Sequence, residues 1–123
     1  MIDEVEIKWL TEPEEHNYPA AQSYLNLIYD LNTAAEYVLK LRIAPVIEFK
    51  AKDILRASGL SPLGISNLHV EKDRKKITSG HALSPLLLLR DKANTKVIIA
   101  DGYHRMCSVY LLNEDATIPC KII

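Results

Sequence analysis

Two continuous apolar runs near the end of the chain constrain its fold more than any other feature. Pro85-Leu-Leu-Leu-Leu89 and Val97-Ile-Ile-Ala100 are separated by the polar stretch Asp91-Lys-Ala-Asn-Thr-Lys96. Runs this short are strand-length rather than helix-length, and two of them bracketing a polar turn read as a buried β-hairpin. After the second run come Asp101-Gly102, then a mostly apolar helix from Tyr103 through Leu112 with Met106, Val109 and Tyr110 turned inward, then a closing strand, Ile118-Pro-Cys-Lys-Ile-Ile123. Strands and helices in this mixture predict an α+β domain with a small mixed sheet.

The remainder is more helical. Val5, Ile7 and Trp9 alternate as a short strand would, but Pro13 and Pro19 make the following piece a connector. Pro19 suits a helix start, and Ala21, Tyr24, Leu25 and Ile28 follow at helical spacing. Asn32 or Thr33 caps a second helix with Ala34, Tyr37, Val38 and Leu41 on one face, ending before Pro45. Residues 1–44 thus read as an N-terminal helical pair, and residues 45–123 as the core of a single domain. Within that core, Val46 to Phe49 is β-prone, and Lys52 to Ser58 is a helix stopped by Gly59. A loop follows from Leu60 to Leu68, then a charged helix from His69 to Ile77 capped by Asn67, with Val70 and Ile77 on one face.

Composition narrows the function classes. Fifteen Lys+Arg against sixteen Asp+Glu leave a net charge of −1 over 123 residues, which disfavours a general nucleic-acid coat while permitting a local basic pocket. Cys107 and Cys120 sit among apolar neighbours and read as buried, reduced thiols. With no leader-like segment and no apolar run near the roughly 20 residues of a membrane span, the expected setting is cytoplasmic, away from membranes. His16, His69, His81 and His104 are scattered and neither cysteine lies in a Cys-x-x-Cys pair, so no structural metal site is expected. Gly-x-Ser-x-Gly is absent, which leaves a serine hydrolase unsupported.

The chemistry concentrates where the second apolar run meets the next helix. A strand ending at Ala100, a turn through Asp101-Gly102 and a helix opening with Tyr103, His104 and Arg105 gather free backbone N–H groups and two cationic-capable side chains, which is the physics of an anion cradle. A cation in a helix's first turn opposes the helix dipole by about 0.3–1 kcal/mol, so Arg105 there asks for a compensating anion. The structural alternative is a capped helix whose Arg105 pairs with a nearby carboxylate. His69 and Lys72 lie one turn apart in the densest cationic cluster, Asn67 to Lys76. They read either as a second wall of the pocket or as a solvated face laced by Glu71–Lys75 pairing. His16-Asn17-Tyr18 offers further polar groups without a spacing that assigns them a role.

The segment Val97-Ile-Ile-Ala-Asp-Gly-Tyr-His-Arg105, followed by a helix and Ile118-Pro-Cys-Lys-Ile-Ile123, resembles the ParB/sulfiredoxin superfamily, specifically its ParB-like N-terminal domain. The resemblance covers residues 45–123. It implies that Gly102, Tyr103, His104 and Arg105, bordered by His69 and Lys72, bind nucleotide phosphates. Asp101 and His104 would be the catalytic candidates, and the cofactor a nucleoside triphosphate with magnesium. The expected ligand is a nucleotide or phosphorylated small molecule, used in phosphotransfer or hydrolysis or simply bound. The alternatives are a ParB-like nuclease or DNA-binding protein and a non-catalytic interaction module. Sulfiredoxins carry a catalytic cysteine where this chain has Tyr103, so sulfinic acid reduction is not expected. Partition proteins place Glu-Arg-Arg after the glycine and append a helix-turn-helix, neither of which this sequence contains.

Overall fold

The leucine run forms β2 (Leu86–Asp91), and Leu86 to Leu89 are all buried. Successive side chains of a strand leave on opposite faces, so Leu86 and Leu88 enter one hydrophobic core while Leu87 and Leu89 enter another. That double burial explains why the run is continuous instead of alternating. A computed structural model describes residues 6–64 and 67–123. Over these residues the chain is α+β, with five α-helices around a four-stranded mixed sheet. β2 pairs antiparallel with β3 (Lys96–Asp101) and parallel with β4 (Thr117–Ile122), and β4 pairs antiparallel with β1 (Ile47–Lys50), giving the order β1-β4-β2-β3.

Helices cover both faces. α1 (Asn17–Leu25) and α2 (Leu31–Ile43) press Tyr18, Ala21, Leu25, Ala34, Val38 and Leu41 onto one side. α3 (Ala51–Ser58), α4 (Leu68–Thr78) and α5 (Tyr103–Leu112) close the other, with Ile54, Val70, Ile77, Met106, Cys107 and Val109 inside. The N-terminal helical pair is therefore one of the two layers on the sheet. Its apolar face is what the second side of β2 requires.

The local signals hold in most places. Gly59 ends α3 at φ 68°, and the Asn67 side chain caps α4 by accepting from the amides of His69 and Val70. The cap of α2 is Asp30, not Asn32 or Thr33: its Oδ1 accepts from the Thr33 amide at 2.9 Å and its Oδ2 from the Thr33 hydroxyl at 2.8 Å. Tyr24, inside α1, and Ile28, past its end at Leu25, are exposed instead of on the expected buried face. In α5, Cys107 is fully buried and Tyr110 only half-buried. The expected strand around Ile7 reduces to a single bridge between Trp9 and Leu83, and Val5 lies outside the described residues. Both cysteines are free and buried, and burial pushes the Cys120 thiol up to about 12. Among the described residues, no helix is long and apolar enough to cross a membrane.

Because β2 is packed on both sides, Leu87→Ala and Leu88→Ala should each cost about 2–5 kcal/mol despite lying in different cores. Leu39→Ala, at an exposed position of α2, should stay within about 0.5 kcal/mol of the parent. Urea denaturation of the three variants checks both statements.

Candidate functional site

A cleft of about 230 Å³ opens where α4 meets the start of α5, lined by His69, Lys72, Asp73, Lys76, Asp101, Gly102, Tyr103, His104 and Arg105. The two helices are held together by Ser108, whose hydroxyl reaches the carbonyl of Val70 at 2.8 Å and that of His104 at 3.0 Å. On α4, the buried Val70 and Ile77 fix its orientation and so turn His69, Lys72, Asp73 and Lys76 outward along the cleft. The sequence's two candidate walls thus share one space. Glu71, expected to pair with Lys75, instead lies 3.7 Å from Arg74.

The turn is shaped by a β-bulge. Leu88 faces Ile99 but Leu87 faces Asp101, so β3 carries one extra residue at Ala100. A bulge re-aims the side chain beside it, and here Asp101 ends on the Arg105 guanidinium. Gly102 follows at φ 110°, in the left-handed region, and a Cβ there would stand 2.7 Å from Leu86 Cγ and 2.9 Å from Arg105 Nη2. Glycine is thus required by backbone conformation and by packing together. The space beside it, expected to admit a ligand, is filled by the protein's own Leu86 and Arg105.

Arg105 is not the unpaired cation that its position in the first turn implies. Its Nη2 donates to Asp101 Oδ2 at 3.0 Å and to Asn17 Oδ1 at 3.1 Å, and its Nε donates to the Ser84 carbonyl at 3.0 Å. Its side chain is only 18% exposed. The anion that the helix dipole called for is Asp101, four residues earlier in the same chain. Asp101 is correspondingly engaged, and the hydroxyl of Tyr103 donates to the carbonyl of Ser61 rather than into the cleft. The groups that face the cleft with no such internal commitment are His69, Lys72, Asp73, Lys76 and His104.

Three residues of this region had no assigned role in the sequence. Asn17 and Ser84 are buried, and the Ser84 hydroxyl donates to Asn17 Oδ1 at 2.9 Å while accepting from the Glu14 amide at 3.0 Å. Asp73 is the third. Burial raises its carboxyl above the ordinary range, although Lys76, Arg105, His104 and His69 all pull it the other way. His104 is held below its ordinary value by burial and by His69 and Arg105, with Asp73 partly opposing. The His69 and His104 rings lie 4.9 Å apart, tilted by 43°. No sequence signal marks Asp73, because its helical register against a residue 31 positions away becomes visible only once α4 and α5 pack. Among the described residues no group of three or more His, Cys, Asp or Glu is placed to hold a metal ion. No family model, curated protein or solved structure matches this chain.

Two outcomes follow for the ligand-free protein. Gly102→Ala should destabilise it by about 2–4 kcal/mol, from left-handed strain plus overpacking against Leu86. Arg105→Ala should cost about 2–4 kcal/mol by leaving the Asp101 carboxylate without its partner and removing a donor from Asn17 Oδ1 and from the Ser84 carbonyl; a variant as stable as its parent in thermal unfolding would refute the structural role. A third concerns pH. Because the folded state keeps His104 below 6.5, it binds fewer protons than the unfolded chain, so the stability gained from the neutral ring is present above that value and is lost as pH falls below it. His104→Gln should flatten this part of the stability-against-pH curve.

Proposed function

We propose that the α4–α5 cleft binds the phosphate end of a nucleotide or phosphorylated small molecule, in a domain of ParB/sulfiredoxin-like fold. The observation that carries this reading is the convergence of His69, Lys72, Lys76 and His104 on one polar cleft whose floor is the Asp101–Arg105 pair. The α5 N-terminus has no side-chain cap and no acidic residue in its first turn, so its amide dipoles add to the same attraction for an anion. At about 230 Å³ the cleft is smaller than the roughly 300–1,000 Å³ of sites that enclose whole ligands. It suits a phosphate and leaves a base or sugar outside. The order β2, β3, glycine turn, α5, β4 supports the fold assignment.

In this reading Arg105 and Asp101 build the floor, and Lys72, Lys76, His69 and His104 meet the ligand. A magnesium ion held by the protein does not fit the donor set, since Asp101 is occupied by Arg105 and Asp73 stands alone among cations; a divalent ion would arrive on the nucleotide or not at all. Hydrolysis or phosphotransfer, if the ligand turns over, would draw on the neutral imidazole of His104 as base, and not on Asp101. The free, buried cysteines accord with a reducing, cytoplasmic setting.

Thermal shift with nucleoside di- and triphosphates, inorganic phosphate and sulfate tests the site. A ligand at a hundred times its dissociation constant should add about 2.7 kcal/mol. Lys72→Ala with Lys76→Ala should remove that response without lowering the ligand-free melting temperature, because both side chains are exposed. Asp73→Asn should strengthen it by deleting a carboxylate from the anion's surroundings. Affinity for sulfate, whose charge is constant between roughly pH 5 and 8, should rise as His104 takes up a proton on acidification, by up to roughly tenfold per pH unit. No stabilisation by any of these anions would overturn the assignment.

A further inference from the structure

α2 carries a second apolar surface on the side away from the sheet. Leu31, Leu39 and Ile43 are 66%, 64% and 85% exposed, and Leu27, in the turn before the helix, is 84% exposed. Leu31, Ala35, Leu39 and Ile43 recur at every fourth position of α2, so on the helix they form one continuous ridge. Single exposed leucines are ordinary, but a row of large aliphatics along a 13-residue helix marks a contact surface. Arg42, the cation nearest in rotation, is drawn off the ridge by Glu15 at 2.6 Å and by stacking on Tyr18, 4.3 Å from the ring centre.

We propose that this ridge is the interface of a homodimer in which α2 packs antiparallel against α2 of a second copy. The ridge is complementary to itself: a two-fold axis beside Tyr37 sets Leu31 against the partner's Ile43 and Ala35 against the partner's Leu39, so each apolar position meets another. The small Ala35 near the axis lets the helices approach. The charges at its edge agree. Glu36 and Lys40 flank the ridge on one side, 3.5 Å apart and 65% and 53% exposed. Antiparallel helices bring equivalent flanks together, so each Glu36 meets the partner's Lys40, about 3 Å away along the axis, twice over by symmetry. The antiparallel arrangement also opposes the two helix dipoles. A parallel two-fold pair would bring opposite flanks together and set neither Glu36 nor Lys40 against the other, which is why the charge pattern selects the antiparallel orientation.

One helix about 20 Å long offers less than the roughly 800 Å² per partner of a standard interface, so the dimer should be weak, in the micromolar range or above. Sedimentation velocity from about 10 μM to about 1 mM should show monomer converting to dimer. Leu39→Glu should abolish the conversion. Glu36→Lys and Lys40→Glu should each weaken it at least roughly tenfold, by placing like charges across the interface, and an equimolar mixture of these two variants should associate as well as the parent. All three changes are at exposed positions, and unchanged circular dichroism and melting temperature will show that the fold is kept. A chain monomeric at the highest concentration overturns the proposal. So does a dimer that survives Leu39→Glu, or a mixture no better than either charge variant alone.

Discussion

One guanidinium joins four parts of this protein. Arg105 lies at the start of α5, yet its nitrogens reach Asp101 at the end of β3, the Ser84 carbonyl just before β2 and Asn17 at the start of α1. Asn17 and Ser84 are 2% and 3% exposed, so these polar groups have little access to water and depend on one another for hydrogen bonds. Apolar layers can slide over a sheet at modest cost. A buried set of donors and acceptors cannot, because each misplacement strands a polar atom. The network therefore sets how the N-terminal layer sits on the sheet relative to α5.

A second polar anchor works on the same layer. Lys121 projects from β4 and is only 3% exposed; its Nζ donates to the carbonyl of Arg42 at 2.7 Å, near the end of α2, and lies 3.5 Å from Glu12. Arg42 in turn stacks on Tyr18 and pairs with Glu15. The acidic connector before α1 is explained by these contacts, since Glu12, Glu14 and Glu15 each meet the folded body through a side chain or an amide. The net charge of −1 is thus a sum over regions of different sign. Acidic groups gather around the connector while Lys72, Lys76 and the two histidines gather at the cleft, and it is the local field that a ligand meets.

The same economy shapes the candidate site. Its floor is built from groups that also hold the fold, so Gly102, Asp101 and Arg105 are constrained by packing before any ligand is considered. The walls are not. Lys72, Lys76 and His69 are exposed on a helix whose inner face is already settled by Val70 and Ile77, which leaves the outer positions free to serve binding. This division separates residues whose loss weakens the fold from those that the fold does not need.

Much of this architecture was legible along the chain. The hairpin, α5, β4, the Asn67 cap and the Gly59 stop all follow from periodicity and turn chemistry acting over a few residues, whereas the sequence left open whether His69 and Lys72 wall the space beside the Asp101–Arg105 turn or lie on a solvated face. The role of Arg105 was not legible. Its sequence neighbourhood correctly demanded a compensating anion, but whether that anion is a ligand or Asp101 depends on a bulge at Ala100 that no local signal marks. Its contact with Asn17 spans 88 positions, and the nearness of Asp73 to His104 needs two helices to pack. The amino-acid sequence by itself determined most of the strands and helices and most of the faces that bury, because those properties are local. Which buried polar groups find each other was decided only by the tertiary structure, because two layers must first close on the sheet before any of those atoms lie within hydrogen-bonding distance.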